Sequence, residues 1–167
     1  MELESLATLA KSVRYLSCGK FKRGAELIND ASHSISQDNE KVLTIIAECR
    51  TLGLIIQTRK YLHKADNLLK DNEFEQALHR YESIGVIGIP RELAIQVMHN
   101  KAVCLSRLHQ LDLSMSLFQE ALLYRSLHST TIQNIAFLCM ARSDYVAALK
   151  HFSDVIHIDN IDRKSVV

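Results

Sequence analysis

The chain has 167 residues, 47% of them apolar and 23% charged, with twenty basic side chains against nineteen acidic ones. That is a globular composition with enough length for one continuous core, and it excludes a disordered chain. The even charge balance also argues against nucleic acid, because the densest basic spot, Lys20, Lys22 and Arg23, is too small for a phosphate-binding stripe and has no interleaved aromatics.

One proline and five glycines leave few breaks or strand punctuators, which predicts an all-helical chain. The opening MELESLATLA carries two glutamates ahead of any apolar run, unlike a secretory signal. The longest apolar stretch, Val42 to Ile56, holds Glu48 and Arg50 and is too short to cross a bilayer, so no membrane is expected. Cys18, Cys49, Cys104 and Cys139 show no CxxC spacing and are expected as small core residues in a reducing compartment, cytoplasmic or nuclear.

In chain order, residues 5–38 come first, with Phe21, Gly24, Ile28 and Ala31 spaced +3, +4, +3 along one helix face. A long run from 39 to 70 follows, interrupted by Gly53 alone. One glycine in a helix interior is unfavourable by only about 1 kcal/mol, so the run reads equally as one helix or two. Phe74, Ala77, Tyr81 and Ile84 then repeat the +3, +4, +3 spacing. The pattern returns 37 residues on, in Ala102, Ser114 and Phe118, and 34 residues later in Ala136, Ala148 and Phe152. The three extra residues of the first interval fit the proline-bearing joint GVIGIP at 85–90.

Each unit reads as two helices, the first carrying a small residue (Ala65, Ala102 or Ala136) and the second a small residue followed by a ring. These positions resemble the tetratricopeptide (TPR) repeats over roughly residues 58 to 162, with Tyr61, Ala65, Phe74, Ala77 and Tyr81 in the first matched unit. Asn100, Ala102, Ser114, Phe118 and Ala121 match in the second, and Asn134, Ala136, Tyr145, Ala148 and Phe152 in the third. Met98 and Ile132 depart from the family at its large-aromatic position. The resemblance implies an all-α, TPR-like helical-repeat solenoid of antiparallel helix pairs. Its expected units are 1–57 (a degenerate repeat plus an extra or extended helix), 58–94, 95–128, 129–162, and a further truncated repeat beginning at 163. RKSVV stands where that repeat would start, so the chain is expected to be part of a longer one.

No catalytic or cofactor motif is present. There is no HExxH, no phosphate-cradling glycine loop and no GxSxG, and the eight histidines fall in no metal-ligand spacing. They are expected on the surface, with no metal, no cofactor and no enzymatic activity. The resemblance implies instead a concave groove lined by the first helices of successive repeats, here Arg59, Leu62, Asp66, His99, Val103, Arg107, Gln133, Phe137 and Met140. Some relatives grip a peptide's terminal carboxylate there. Leu62 and Asp66 stand at the corresponding places of the first unit and Thr130 and Asn134 at those of the third, only Asn100 of the second fits, and an aspartate would repel that group.

The order of parts, with KADNLLKDNEFEQALHRYESI followed by a lengthened joint ending IPRE, is similar to the N-terminal region of the subunit-seven family of the anaphase-promoting complex. That resemblance implies a non-catalytic scaffold in a large multi-protein assembly that forms homodimers. A peptide-binding adaptor, a trafficking or ciliary subunit, and an accessory domain of an enzyme remain as alternatives. Independently, Val42 to Ile56 places apolar residues at nearly every angle of a helix, more than one neighbour can cover. Self-association through Ile45, Ile46, Leu52 and Ile56 is therefore expected.

Overall fold

The computed structural model describes residues 2–34, 40–124 and 128–164, with side chains over 4–33, 43–124 and 128–161. Among the described residues there are eight helices and no strand: α1 (Glu2–Ser17), α2 (Phe21–Ser34), α3 (Glu40–Lys70), α4 (Phe74–Glu82), α5 (Arg91–Arg107), α6 (Leu111–Tyr124), α7 (Ser129–Ala141) and α8 (Tyr145–Lys164). They fall into two compact units, Met1–Tyr61 with Ile87–Pro90, and Leu62–Val86 with Arg91–Val167.

In the first unit α1 buries Ser5, Leu9, Ser12 and Leu16, one face at +4, +3, +4. The serines are tolerated inside because small side chains let helices approach, and the Ser12 hydroxyl donates to the Leu9 carbonyl at 2.6 Å. Leu9, Leu16, Ile28, Ala31 and Ile46 form the core of α1, α2 and α3, with Phe21, Cys49 and Ile56 packed against it. Leu16 explains both helical glycines nearby. A β-carbon on Gly24 would lie 2.6 Å from the Leu16 side chain, and one on Gly53 would lie 2.8 Å from it. Gly53 is therefore where α1 closes on α3, and α3 passes through it as a single helix of 31 residues.

In the second unit α5 buries Leu93, Ala94, Ile95, Val97, Met98, Ala102, Cys104 and Leu105, which cover more than one face. Such a helix has neighbours on several sides. Pro90 immediately precedes it, where a missing N–H breaks no helical bond. Ala102, Phe118, Ile135, Leu138, Cys139 and Ala148 unite α5 to α8 in one cluster. Between α5 and α6 the small positions meet directly: the buried Ser114 hydroxyl donates to the Ala102 carbonyl at 2.8 Å.

One turn geometry is built four times. Gly19, Asn72, His109 and Ser143 have φ of 75°, 62°, 59° and 61°. Each donates its N–H to the carbonyl three residues back, and the next residue donates to the carbonyl five back from itself. This is the Schellman ending of a helix, and here it launches the following helix at once. Five residues after each left-handed position stands a buried small residue: Gly24, Ala77, Ser114 and Ala148.

Several expectations are corrected. The boundary expected at 57/58 falls inside α3, and the one at 162/163 falls inside α8, which runs to Lys164; 165–167 lie outside the described residues. Cys18 is exposed and Cys49 only half-buried, so just Cys104 and Cys139 are core thiols. Of the self-association candidates, Ile46 is 3% exposed in the first unit's core and Ile56 packs against that core. The apolar run hid their stripe, since 46, 49, 53 and 56 share the side of α3 that meets α1 and α2. Ile45 and Leu52 stand outside it, 37% and 41% exposed, beside Leu43 at 42%. The Val42 side chain lies outside the described residues.

Candidate functional site

Within the second unit a cleft of about 690 Å³ opens between α5 and α7. Val103 and Arg107 of α5 line one side and Asn134, Phe137 and Leu138 of α7 the other, with Phe118 and the turn residue His109 completing it. Helical spacing makes this wall, because Val103 and Arg107 are four apart, as are Asn134 and Leu138. Phe137 is 51% exposed, and its ring is braced edge-on by Phe152 of α8 at 5.4 Å between centroids.

The nine groove candidates are distributed unevenly. Val103, Arg107 and Phe137 line the cleft. Gln133 and Met140 are exposed on α7 outside its lining, and Arg59 belongs to the first unit. Leu62 is not a groove residue, being buried at 4% exposure. The repeat-packing candidates Ala65, Ala77, Tyr81, Ala102, Ser114, Phe118, Ala136 and Ala148 are all buried, and Phe152 is half-buried.

Asp66 and His99 are tied into bonds between helices. Asp66 accepts from the Tyr81 hydroxyl at 2.5 Å, from Asn100 Nδ2 at 2.9 Å and from Gln96 Nε2 at 3.4 Å, joining α3, α4 and α5. Burial, together with the hydrogen bond to that carboxylate, pushes the Tyr81 hydroxyl well above its ordinary pKa.

His99 links α5 to α7. Asn134 Nδ2 lies 3.2 Å from His99 Nε2, and since an amide nitrogen only donates, Nε2 accepts. Nδ1–H then donates to Thr131 Oγ1 at 3.0 Å, and the Thr131 hydroxyl donates to His128 Nδ1 at 2.6 Å. Burial first, and His128 second, push His99 down to about 4, so it is neutral at physiological pH. Its ring also packs edge-on against Phe118 at 5.3 Å. The expectation of surface histidines is corrected here. The signal was available, because His99 lies on the stripe of the buried Ile95 and Ala102.

These side chains are therefore fixed for structure. Burial pushes the Cys104 thiol up to about 11, which leaves it protonated and a poor nucleophile at neutral pH. Among the described residues no group of three or more His, Cys, Asp or Glu could hold a metal ion, and no helix is long and apolar enough to cross a membrane. What the cleft offers is an aromatic platform, a guanidinium and amide or hydroxyl rims.

The sequence matches no protein-family model and no curated protein. Among solved structures the chain is similar to a double mutant of MamA RS-1, at 15% identity and a TM-score of 0.56, covering 95% of this chain and 96% of that one. MamA from Desulfovibrio magneticus RS-1 gives 15% identity and a TM-score of 0.54 over 93% of this chain and 76% of that one. The pilF protein of Pseudomonas aeruginosa gives 15% and 0.54 over 93% and 77%. These likenesses concern the fold, and with the four matching turns they make it an all-α helical-repeat fold of the TPR type.

Proposed function

We propose that the chain is a non-catalytic scaffold that binds other proteins, including its own copy, within a large assembly. The observation that supports this is the division of labour among its side chains. Asp66, Tyr81 and His99, the groups best suited to chemistry, are spent on helix-to-helix hydrogen bonds. Leu43, Ile45, Leu52, Phe137 and Met140 stand exposed on helical walls. Exposed apolar side chains on rigid elements suit protein contacts better than catalysis.

For the assembly, the sequence resemblance in the order of repeats and the lengthened IPRE joint supports the anaphase-promoting complex, and with it a role in cell-cycle control in the cytoplasm or nucleus. The test is affinity purification of the tagged chain from dividing cells with quantitative mass spectrometry. The ligase's other subunits are expected in near-stoichiometric amounts. Recovery without any of them overturns this assignment. A second reading, a peptide-binding adaptor, is favoured by the braced Phe137 and open cleft.

A further inference from the structure

The first unit holds a cavity of about 320 Å³ between α2 and α3. Leu16, Phe21, Ile28 and Leu54 make its walls apolar, and the small Ala25 and Gly53 leave the space between them open. Protein interiors are close-packed, so an apolar space of this size stands out as one shaped for an occupant. One end is tied off by Arg50, whose guanidinium donates to Asn29 Oδ1 and Ser32 Oγ of α2 at 3.2 Å each. From Phe21 to Asn29 the wall runs eight residues along α2, on the order of 12 Å by helical rise.

The other end opens into a wider cleft of about 740 Å³ that shares Phe21, Ala25 and Gln57 with the cavity. Lys20, Lys22 and Arg23 line that cleft, and its lining holds no Asp or Glu. Arg23 is paired with Glu26 at 3.0 Å, whereas Lys20 and Lys22 have no ion pair among the described residues. Folding brings in a further cation from α3, since Lys60 Nζ lies over the Phe21 ring at 5.6 Å. Gly19 admits it, because a β-carbon there would lie 2.5 Å from that nitrogen. An apolar slot closed at one end and opening among cations at the other is complementary to a molecule with a greasy tail and a negative head.

We propose that this pair of spaces binds a single-chain anionic amphiphile, its alkyl tail between α2 and α3 and its carboxylate or phosphate head on Lys20 and Lys22. The site lies apart from the surfaces on which the scaffold reading rests, so failure of either leaves the other standing.

The test is isothermal titration calorimetry of the 167-residue chain with decanoate, decyl phosphate, decanol and decylammonium, each below its micellar concentration. The two anions are expected to bind one molecule per chain, about tenfold more tightly than decanol or decylammonium, and to weaken as salt is raised. The tighter of the two identifies the head group. Each methylene removed from the decanoate tail should weaken binding about fourfold. Lys20→Glu with Lys22→Glu should remove the preference for anions while leaving decanol binding unchanged, and added acids at the start of α2 suit its helix dipole. Ala25→Trp, on an exposed position of α2, should fill the slot and abolish binding of all four. Circular dichroism of each variant checks that helicity is retained. Binding that ignores tail length, equal binding of the four compounds, or indifference to Ala25→Trp overturns the proposal. So does binding to phosphatidylserine vesicles without binding to any soluble amphiphile, which would make the cations a membrane contact. A mass that halves in light scattering when decanoate is added would make the slot an interface between copies, and would equally overturn it.

Discussion

His99 is the side chain whose chemistry most plainly serves packing. Its imidazole must accept from Asn134, and protonation would remove that lone pair from a buried bridge between α5 and α7. The folded pKa of about 4 lies below the free value of 6.5, so the unfolded chain binds more protons in that window. The resulting stability is complete above pH 6.5 and is lost as pH falls toward 4. At roughly 1.4 kcal/mol per unit, the upper limit is about 3 kcal/mol. Thermal melts should therefore drop steeply between pH 6.5 and 4, and His99→Gln should flatten that slope while lowering stability at neutral pH. Equal slopes in the two proteins would show that His99 is not the titrating group. At this scale the sequence was legible where size decides and silent where pairing decides. Ala77, Ala102, Ser114 and Ala136 stand out as small residues at a fixed offset. The engagement of Asp66 by Tyr81 and Asn100 joins residues 15 and 34 apart, and no local pattern announces such a pair.

Among the elements, α3 turns on a competition that sequence could not settle. Replacing Gly53 by alanine improves helix propensity by about 1 kcal/mol. Yet the added carbon would sit 2.8 Å from Leu16, which Gly24 of α2 also approaches so closely that a β-carbon there would lie 2.6 Å from it. Overpacking of this kind destabilises by roughly 1–3 kcal/mol, so packing wins. Gly53→Ala should lower the melting temperature, and Leu16→Ala in the same chain should relieve the added loss. A rise in melting temperature for Gly53→Ala would remove the close approach.

The four turns give an opposite expectation. His109 and Ser143 hold left-handed backbone that side chains disfavour, whereas Gly19 holds it freely and Asn72 tolerates it. His109→Gly and Ser143→Gly should each stabilise by about 0.5 kcal/mol after the extra freedom of the unfolded chain is deducted, and Asn72→Gly by less. Chemical denaturation with unchanged slope checks this, and destabilisation of both variants would contradict it. The turns escaped the sequence reading because Gly, Asn, His and Ser share a conformation and no composition.

For the whole chain, repeats at offsets of 37 and 34 residues made the helical-repeat class readable, because a unit that cannot bury its own face must have neighbours like itself. The same property obscures function, since the residues that recur are those that pack. Surfaces show only as what the repeats leave over. On α3 that remainder includes Leu43, Ile45 and Leu52, after Ile46 and Ile56 go to the core. We propose that these exposed apolar side chains are covered by protein, those on α3 by a second copy of the chain. Size-exclusion chromatography with multi-angle light scattering, across micromolar concentrations, tests it most directly. A mass twice that of the 19.0 kDa chain is expected, falling to one copy in the double variant Ile45→Glu, Leu52→Glu with helicity unchanged. A soluble 19.0 kDa species at every concentration, unaffected by those substitutions, would contradict it.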